Sequence, residues 1–514
     1  IKGYDNSLTR RKKMNTLLKE LKNEANKTYT ENGAAALKST GNAVYDLFAT
    51  GAAYRTRSDS DVLYLFTQAW NENPELTLKC LFYLRDIRGG QGERRFFRVC
   101  MKWLATNEPK VYLKNLGNIS EYGRWDDMIY TMDASPDTWT AAAALIKHQL
   151  ALDCQSKTPS LLAKWMPSEN ASSAVTKEMA RRLAYELNLT SRQYRKMLSG
   201  LRAKINVLER LMSANRWDEI EFDKIPSKAG LIYKNAFARR DIIAKKYEHF
   251  AKDKDTKVNA AALYPYEVVA KAVPDYTWYG GFNTLSETDR AMINKYWENL
   301  PDYLNGADAN ILCVIDTSGS MTSTYGTSVK PIDVAISLGL YCAERNHGAF
   351  ANHYISFASR PQLIATSGYD FVDKVQRIYK TNLVDNTNLE AVFDLLLNKV
   401  SSGRARAEDL PSTIVVISDM QIDSATRYSW SENSAATEME KIKARWKHAG
   451  VRCPKIVYWN VSARGDANII DKGLDVSFVS GFSPVIFKSV LTGKTGRDLM
   501  LEVICGKRYE AVTL

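Results

Sequence analysis

The sequence contains no continuous apolar run of the ~18 residues that a membrane-spanning helix needs. It has only seven cysteines, none in a CxxC pair, and five dispersed histidines. These sparse soft ligands argue against a thiolate zinc site and a histidine metal cluster, and they predict free, buried thiols in a reducing compartment. The basic N-terminal stretch also lacks the apolar core of a signal peptide. We therefore expect a cytoplasmic protein with no membrane partner.

Catalytic signatures are missing as well. The sequence has no HExxH, no GxSxG, no Cys–His signature and no Walker motif, so we expect a protein that is not an enzyme. Its composition, 45% hydrophobic and 25% charged, excludes collagen-like and mostly disordered chains. The length of 514 residues leaves room for two or three domains.

The positive charge is confined to one part of the chain. Residues 1–300 hold 47 lysines and arginines against 35 aspartates and glutamates, which accounts for the whole net charge of +12. Residues 301–514 hold 23 of each. This asymmetry predicts two modules with different partners, and it favours nucleic acid as the partner of the first. A set of solvated helix faces explains the charge equally well.

Residues 1–305 form the first predicted domain, which is helical. Apolar residues recur at steps of three and four in stretches such as SDVLYLFTQAW and RRFFRVCMKWLA, and no convincing strand interrupts them. Ser58 and Asp59 open one predicted helix, Pro74 lies in the first turn of the next, and Thr190 precedes another. Many helices with short joints predict stacked helix pairs of solenoid type.

Residues 306–514 form the second predicted domain, an α/β fold. The apolar runs ILCVI, HYISF, TIVVIS and KIVYW alternate with helical stretches, which predicts a mostly parallel sheet covered by helices on both faces. In such sheets, ligands bind at the carboxyl ends of the strands. The polar residues that follow each strand are therefore the candidate site.

Five oxygen-bearing side chains follow these strands. The run ILCVI ends in Asp316, Ser318 and Ser320, one carboxylate and two hydroxyls at alternate positions, and TIVVIS leads into Asp419. Between them, the stretch Asn386–Asn388 opens a helix and offers the hydroxyl of Thr387. A donor set of oxygens alone suits Mg²⁺ or Mn²⁺. Asp423 is either an additional acid near this site or a helix cap, and we favour the cap.

On these motifs, residues from about 308 onwards resemble a von Willebrand factor A domain. The five side chains match its metal-ion-dependent adhesion site. The resemblance implies a Rossmann-like fold, direct metal ligation by Ser318, Ser320 and Thr387, and ligation by Asp316 and Asp419 directly or through water. It also implies an acidic protein partner bound through the metal.

A helical module followed by an A domain is similar to the Ro autoantigen family, whose TROVE module is a ring of HEAT-like repeats. Three phrases also resemble an uncharacterised family of A-domain proteins from plants, fungi, microbes and viruses: LRDIRGGQGER (84–94), GRWDD (123–127) and MSANRWD (212–218). The Ro resemblance implies that the helical module binds RNA, either small structured RNA or single-stranded ends.

The RNA-binding candidates are basic side chains around the glycine-rich turn and on two successive helices: Arg85, Arg88, Arg94, Arg95, Arg181, Arg182, Arg192, Arg195, Lys196, Arg202 and Lys204. Tyr194 and Trp217 are candidates for base stacking, although aromatics at helical spacing are usually core residues. The GGQG stretch (89–92) is alternatively a flexible turn, with Arg85, Asp86 and Glu93 in a structural ion pair. The GRWDD phrase is expected to be a packing turn between helices.

Three functional hypotheses follow. The first is a Ro-like RNA-binding scaffold whose A domain recruits an acidic partner through a divalent metal. The second is a protein-interaction or structural assembly component with no RNA role. The third, which we favour least, is a metal-dependent hydrolase of phosphate esters.

Overall fold

A computed structural model describes residues 16–205, 208–274, 281–305, 307, 309–324, 326–381, 387–422, 438–465 and 475–514. The first predicted domain is dominated by helices. In chain order they are α1 (Thr16–Asn26), α2 (Ala43–Thr50), α3 (Asp59–Glu72), α4 (Pro74–Arg85), α5 (Arg94–Asn107), α6 (Pro109–Lys114), α7 (Leu116–Tyr122), α8 (Trp125–Thr131), α9 (Pro136–Gln155), α10 (Leu162–Trp165), α11 (Ala174–Glu186), α12 (Ser191–Lys204), α13 (Leu208–Ser213), α14 (Ser227–Arg239), α15 (Asp241–Lys252), α16 (Pro265–Ala272) and α17 (Glu287–Glu298).

The predicted helix starts are confirmed. Ser58 accepts a hydrogen bond from the Asp61 amide and caps α3, Pro74 occupies the first position of α4, and Thr190 caps α12. A HEAT-like regularity of these helices, or their closure into a ring, stays a prediction.

The expectation of no strand in this part of the chain is wrong. An antiparallel hairpin lies between α1 and α2, formed by β1 (Lys27–Tyr29) and β2 (Ala35–Leu37). Its turn contains Gly33 with φ of +85°, a left-handed conformation that glycine adopts without strain. Three-residue strands are too short to show a two-residue alternation, and this is why the sequence pattern hid them.

The second domain is built on a six-stranded mixed sheet. Its strands are β3 (Ile311–Asp316), β4 (His353–Phe357), β5 (Leu363–Ala365), β6 (Thr413–Ser418), β7 (Lys455–Asn460) and β8 (Val476–Ser480). Their order across the sheet is β5-β4-β3-β6-β7-β8, and every neighbouring pair is parallel except β4 with β5. The helices of this domain are α18 (Pro331–Arg345), α19 (Phe371–Thr381), α20 (Leu389–Ser401), α21 (Glu438–His448), α22 (Phe487–Val490) and α23 (Gly496–Ile504).

This arrangement confirms the predicted α + α/β class and the four predicted strands. The central strands β3 and β6 are buried along their whole length, as continuous apolar runs predict for a sheet covered on both faces. The edge strands β5 and β8 were not predicted from the sequence. The predicted boundary between residues 305 and 306 falls in the connection between α17 and β3.

The edge strand β8 is covered by the helical part of the chain. The hydroxyl oxygen of Tyr45 in α2 accepts a hydrogen bond from the Phe478 amide at 2.8 Å. Ser480 accepts from the Ala52 amide at 3.2 Å and donates to the Phe48 carbonyl at 3.3 Å. The first of these bonds satisfies a backbone amide of β8 that an exposed edge would leave open to other chains, and the Ser480 hydroxyl adds two contacts to the helical part.

The glycine-rich turn 89–92 forms part of the same interface. Gln91 is buried, donates from Nε2 to the Tyr83 hydroxyl at 2.7 Å, and accepts the Ser483 amide on Oε1 at 3.1 Å. The adjacent Asp86 accepts from Arg508 Nη2 at 2.7 Å and from the Tyr509 hydroxyl at 3.0 Å. The turn between α4 and α5 is therefore packed at a junction between the two parts of the chain, and its flexibility stays a prediction.

None of the described helices is both long enough and apolar enough to cross a membrane. All seven cysteines are free, and Cys80, Cys100, Cys313 and Cys342 are buried as expected. The expectation of burial is wrong for the exposed Cys154 and Cys505 and only partly met by the half-buried Cys453.

Candidate functional site

The carboxyl ends of β3 and β6 bring two predicted acids together. Asp316 is the last residue of β3, Ser418 is the last residue of β6, and Asp419 follows it. The Ser418 hydroxyl donates to Asp316 Oδ2 at 2.5 Å and accepts the Met420 amide at 3.0 Å. Met420 has φ of +63°, so the chain turns sharply directly after Asp419. Both carboxylates are fully buried at this edge of the sheet.

The predicted hydroxyls lie on the two loops beside these acids. The Ser318 amide donates to Asp316 Oδ1 at 2.9 Å, and the Ser318 and Ser320 hydroxyls are 3.1 Å apart. The Thr387 hydroxyl donates to the Gln421 carbonyl at 3.1 Å. The amide of the same Gln421 donates to Asp419 Oδ1 at 3.2 Å. Asn388 caps α20 as expected, whereas Asn386 and Asp423 lie outside the described residues.

Burial and the neighbouring charge disfavour ionisation of the Asp316 carboxyl. The pKa of Asp316 is raised to about 7, first by burial and next by the negative charge of Asp419, against hydrogen bonds from Ser418 and Ser318 that lower it. A positive charge at this edge would relieve the repulsion and favour the ionised acids.

The donor set fits a hard divalent cation better than a soft one. The described part of the chain contains no group of three or more His, Cys, Asp or Glu side chains that could hold a metal. A cation here would therefore depend on hydroxyl oxygens in addition to the two acids. Two carboxylates with three hydroxyls are oxygen ligands of the kind that Mg²⁺ and Mn²⁺ accept.

Two charged residues that the sequence analysis did not single out also reach this edge. Arg464 follows β7, and its Nη2 donates to Asp419 Oδ2 at 2.5 Å while its Nη1 lies 3.1 Å from Glu31 Oε2. Glu31 belongs to the turn of the β1–β2 hairpin. No spacing in the sequence signals either contact, because Asp419 is 45 positions from Arg464 and Glu31 belongs to the other end of the chain.

The basic candidates fall into two groups, of which the first is exposed. It comprises Arg88, Arg94, Arg181, Arg182, Arg192, Arg195, Lys196 and Lys204. Four of these pair with acids, namely Arg88 with Glu121, Arg181 with Glu178, Arg182 with Asp133 and Arg195 with Glu169. Lys204 donates to the Cys154 carbonyl at 2.8 Å. Arg192 and Lys196 lie four residues apart on α12, and neither has an acidic partner among the described residues.

The second group is held in structural contacts. Arg85 is only 2% exposed and binds Asp127 through Nε at 2.8 Å and Nη2 at 2.6 Å. Arg95 pairs with Asp59, and Arg202 donates to the carbonyls of Ala163 and Met166 at 2.8 and 2.9 Å. We therefore do not carry Arg85 and Arg202 forward as RNA contacts. The local ion pair expected among Arg85, Asp86 and Glu93 does not form; their partners are Asp127, Arg508 and Arg55.

The aromatic candidates are core residues. Tyr194 is fully buried and donates to the Pro167 carbonyl at 2.8 Å, and Trp217 is 5% exposed. Tyr185 on α11 was not predicted, yet it is 83% exposed beside Arg181 and Arg182. The sequence alone could not identify Tyr185, because that requires knowledge of which face of α11 is buried.

Two protein-family models match this chain. A model described as "Domain of unknown function (DUF2828)" matches residues 30–131 and 147–307. The chain belongs to the DUF2828 family. A second model, "Domain of unknown function (DUF7788)", matches residues 310–505 and therefore includes all five candidate metal ligands. The DUF2828 part holds the basic helices, and the DUF7788 part holds the sheet.

Known proteins similar to this DUF2828 chain include an uncharacterised viral protein. "Uncharacterized protein L728" of Acanthamoeba polyphaga mimivirus is 28% identical over 510 residues, covering 91% of this chain and 85% of the viral protein. This relative supports the resemblance to an uncharacterised family with viral members. Among solved structures, the Deinococcus radiodurans RO (RSR) protein matches 93% of this chain and 96% of its own, with 13% identity and a TM-score of 0.37. We draw no functional argument from a likeness that distant.

Proposed function

We propose that the chain is a Ro-like RNA-binding scaffold whose helical module holds RNA and whose C-terminal domain binds an acidic protein partner through Mg²⁺ or Mn²⁺. In this proposal both parts act by binding, and neither is an enzyme. The observation that carries it is the exposed surface of α11 and α12, which we call the α11–α12 basic surface: Arg181, Arg182, Tyr185, Arg192, Arg195 and Lys196.

This surface has the features of a site for RNA phosphates. Arg192 and Lys196 occupy one helix face because residues four apart on a helix are neighbours. Their ammonium and guanidinium groups remain open to a phosphate backbone, which basic side chains bind without reading sequence. The exposed ring of Tyr185 offers a platform on which an unpaired base can stack.

Charge reversal on α12 tests the RNA part. In the triple variant Arg192→Glu, Arg195→Glu and Lys196→Glu, we expect RNA affinity to fall and the slope of log K against log salt to become shallower by about two to three units. The measurement is fluorescence anisotropy of a labelled single-stranded and a labelled hairpin RNA across a KCl series.

The matched control carries the same charge change in the other domain, at the exposed residues Lys488, Arg497 and Lys507, each replaced by Glu. We expect its salt slope to equal that of the wild type. An unchanged slope in the α12 variant, or an equal change in both, would refute RNA binding by this surface.

The strand-end cluster supports the metal part of the proposal. Ser318, Ser320 and Thr387 would hold the cation through their hydroxyl oxygens, and Asp316 and Asp419 would supply negative charge. The cation would provide a Lewis-acidic position for the carboxylate of a partner. Asp316 accepts the Ser318 amide and so orients Ser318 at this edge. The Gln421 carbonyl accepts the Thr387 hydroxyl and orients Thr387.

Asp316→Asn should abolish Mg²⁺ binding while keeping the hydrogen bond from Ser418, because the amide oxygen still accepts but carries no charge. We expect the heat of Mg²⁺ binding measured by isothermal titration calorimetry to disappear, with the thermal unfolding midpoint close to that of the metal-free wild type. Asp498→Ala, an exposed acid of the same domain, should bind Mg²⁺ normally. Mg²⁺ binding that survives Asp316→Asn contradicts the proposed ligands.

A protein-assembly role without RNA is the second candidate. Ile232 on α14 and Ile242 on α15 are 68% and 64% exposed on neighbouring helices. An apolar contact made there would resist added salt, whereas phosphate contacts weaken steeply. Complex formation that is insensitive to salt would favour this candidate.

A further inference from the structure

A cavity of about 910 Å³ lies beside the α11–α12 basic surface, between the segment 164–171, α12 and α13. Its volume falls within the roughly 300–1,000 Å³ of small-molecule sites in proteins. The charged residues that line it are four basic and two acidic ones: Lys164, Arg195, Arg202, Arg210, Glu169 and Glu209. The cavity is therefore a concave site with an excess of positive charge, next to the surface proposed to hold RNA.

One wall of the cavity is held in place by Arg202. Its guanidinium donates to the Ala163 and Met166 carbonyls at 2.8 and 2.9 Å. The Ser168 hydroxyl accepts a third bond, from Arg202 Nη1 at 3.0 Å. Because α12 is thereby tied to the segment 163–168 at three points, the cavity is formed before any ligand binds, as is usual for such sites.

Trp165 gives the cavity an aromatic surface. Its side chain is half-buried, and the guanidinium of Arg124 lies 4.0 Å from the centroid of its ring. Asp126 accepts two bonds from Arg124, at 2.9 and 2.8 Å, and so keeps this cation beside the ring. Indole rings next to basic side chains are surfaces on which unpaired bases stack. The cavity thus combines aromatic and basic groups, as nucleotide sites do.

Glu169 lines the cavity with an incomplete set of hydrogen bonds. Its side chain is 7% exposed, and its Oε2 lies 3.2 Å from Arg195 Nη1. Its Oε1 is closed off from solvent and has no hydrogen-bond partner within the described residues. A buried carboxylate oxygen without a donor is costly. Since the last torsion of a glutamate has a broad minimum, the carboxylate turns readily toward a donor that enters the cavity.

The cavity requires a ligand that combines negative charge with N–H donors. A simple anion such as inorganic phosphate suits the basic side chains, but Glu169 repels it. The Arg195 side chain is 51% exposed, and Arg210 is exposed with no acid within ion-pair distance in the described part of the chain. These two guanidinium groups remain available to a phosphate, while a donor on the same ligand satisfies Glu169. A nucleotide has both groups.

We propose that this cavity binds one unpaired guanine nucleotide of the RNA, with the Glu169 carboxylate accepting from guanine N1–H and the N2 amino group. The inference rests on the proposed RNA function and adds a base preference. Guanine is the RNA base with two donors side by side on its Watson–Crick edge. Adenine and cytosine place a ring nitrogen acceptor beside their amino group, and uracil places its N–H between two carbonyls, so each presents a lone pair to the carboxylate. Oε2 keeps a second lone pair beside its bond with Arg195.

The first test compares four RNA pentamers on the full wild-type chain, by fluorescence anisotropy at low salt: UUGUU, UUAUU, UUIUU and UUUUU, where I is inosine. Their phosphate charge is equal, so differences in affinity report the central base. We expect UUGUU to bind at least about fivefold tighter than UUUUU and UUAUU. Inosine lacks only the N2 amino group of guanine, and UUIUU should have an intermediate affinity.

The second test removes the acceptor. Glu169→Met keeps the length of the side chain but has no carboxylate, and we expect the preference for UUGUU over UUUUU to fall below about twofold. Binding of UUUUU should stay equal or become tighter, because Arg195 loses its acidic partner, and this result also shows that the variant is folded. Glu178→Met is the matched control. Glu178 pairs with Arg181 on the same surface at 3.7 Å but does not line the cavity, so the guanine preference should persist.

The outcomes separate this inference from RNA binding itself. Equal affinities of the wild type for all four pentamers overturn the guanine site and leave the RNA function standing. A guanine preference that survives Glu169→Met, or that Glu178→Met abolishes equally, overturns the assignment to this cavity. An inosine pentamer that binds as tightly as UUGUU overturns the contact with the N2 amino group. Absence of binding to every pentamer refutes the RNA function and the inference together.

Discussion

Replacing Asp127 with alanine is expected to lower the free energy of unfolding by about 3–5 kcal/mol. Asp127 is fully buried and accepts from Arg85 Nε at 2.8 Å, from Arg98 Nε at 2.7 Å and from the Arg124 amide at 3.0 Å. Its loss leaves the buried Arg85 guanidinium without a counterion. The measurement is urea denaturation followed by circular dichroism, because the helices of this module dominate the signal.

Asp126→Ala is the matched control for this variant. Asp126 is the neighbouring acid, its side chain is 22% exposed, and it pairs with Arg98 and Arg124 near the surface. Since partly exposed ion pairs contribute little to stability, we expect the free energy of unfolding to fall by about 1 kcal/mol or less. Equal losses in the two variants would show that Asp127 is no more important than a surface pair.

Gly90→Ala is expected to destabilise the chain by at least about 3 kcal/mol. A Cβ at this position would lie 1.9 Å from the Tyr83 carbonyl oxygen. That oxygen is backbone at the end of α4 and accepts the Gln91 amide at 3.1 Å, so it cannot move aside without breaking the junction. The midpoint of urea denaturation reports the loss.

Gly117→Ala serves as its control because a Cβ there would meet nothing within 4 Å. Gly117 lies in α7, where alanine has the better helix propensity, so we expect a neutral or slightly stabilising effect. Wild-type stability of Gly90→Ala would mean that the GGQG turn adapts freely, as the flexible-loop interpretation requires.

The sequence predicted the periodic parts of the fold well. Continuous apolar runs such as ILCVI and TIVVIS marked the buried central strands, and the polar residues after them identified Asp316 and Asp419 at one edge. The cluster was predictable because the carboxyl ends of parallel strands meet at one edge of a sheet. The position of Thr387 beside this cluster was predictable for the same reason, because Thr387 opens a helix in the same alternation of strands and helices.

Contacts between distant segments could not be predicted. Arg85 has the sequence context of an exposed residue beside a glycine-rich turn, yet its partner Asp127 is 42 positions away and fully buried. Arg464 reaches Asp419 from 45 positions away and Glu31 from the far end of the chain. Only the three-dimensional fold shows which acid a given arginine meets.

The bond between Asp86 and Arg508 bears on how the protein is made. The two residues are 422 positions apart, so at about 5–20 residues per second the ribosome needs roughly 20–80 s after Asp86 to supply its partner. During that time Asp86 and the GGQG turn stay without the segment that covers them. The helical module therefore reaches its final structure only after residues 508 and 509, which bind Asp86, have been translated.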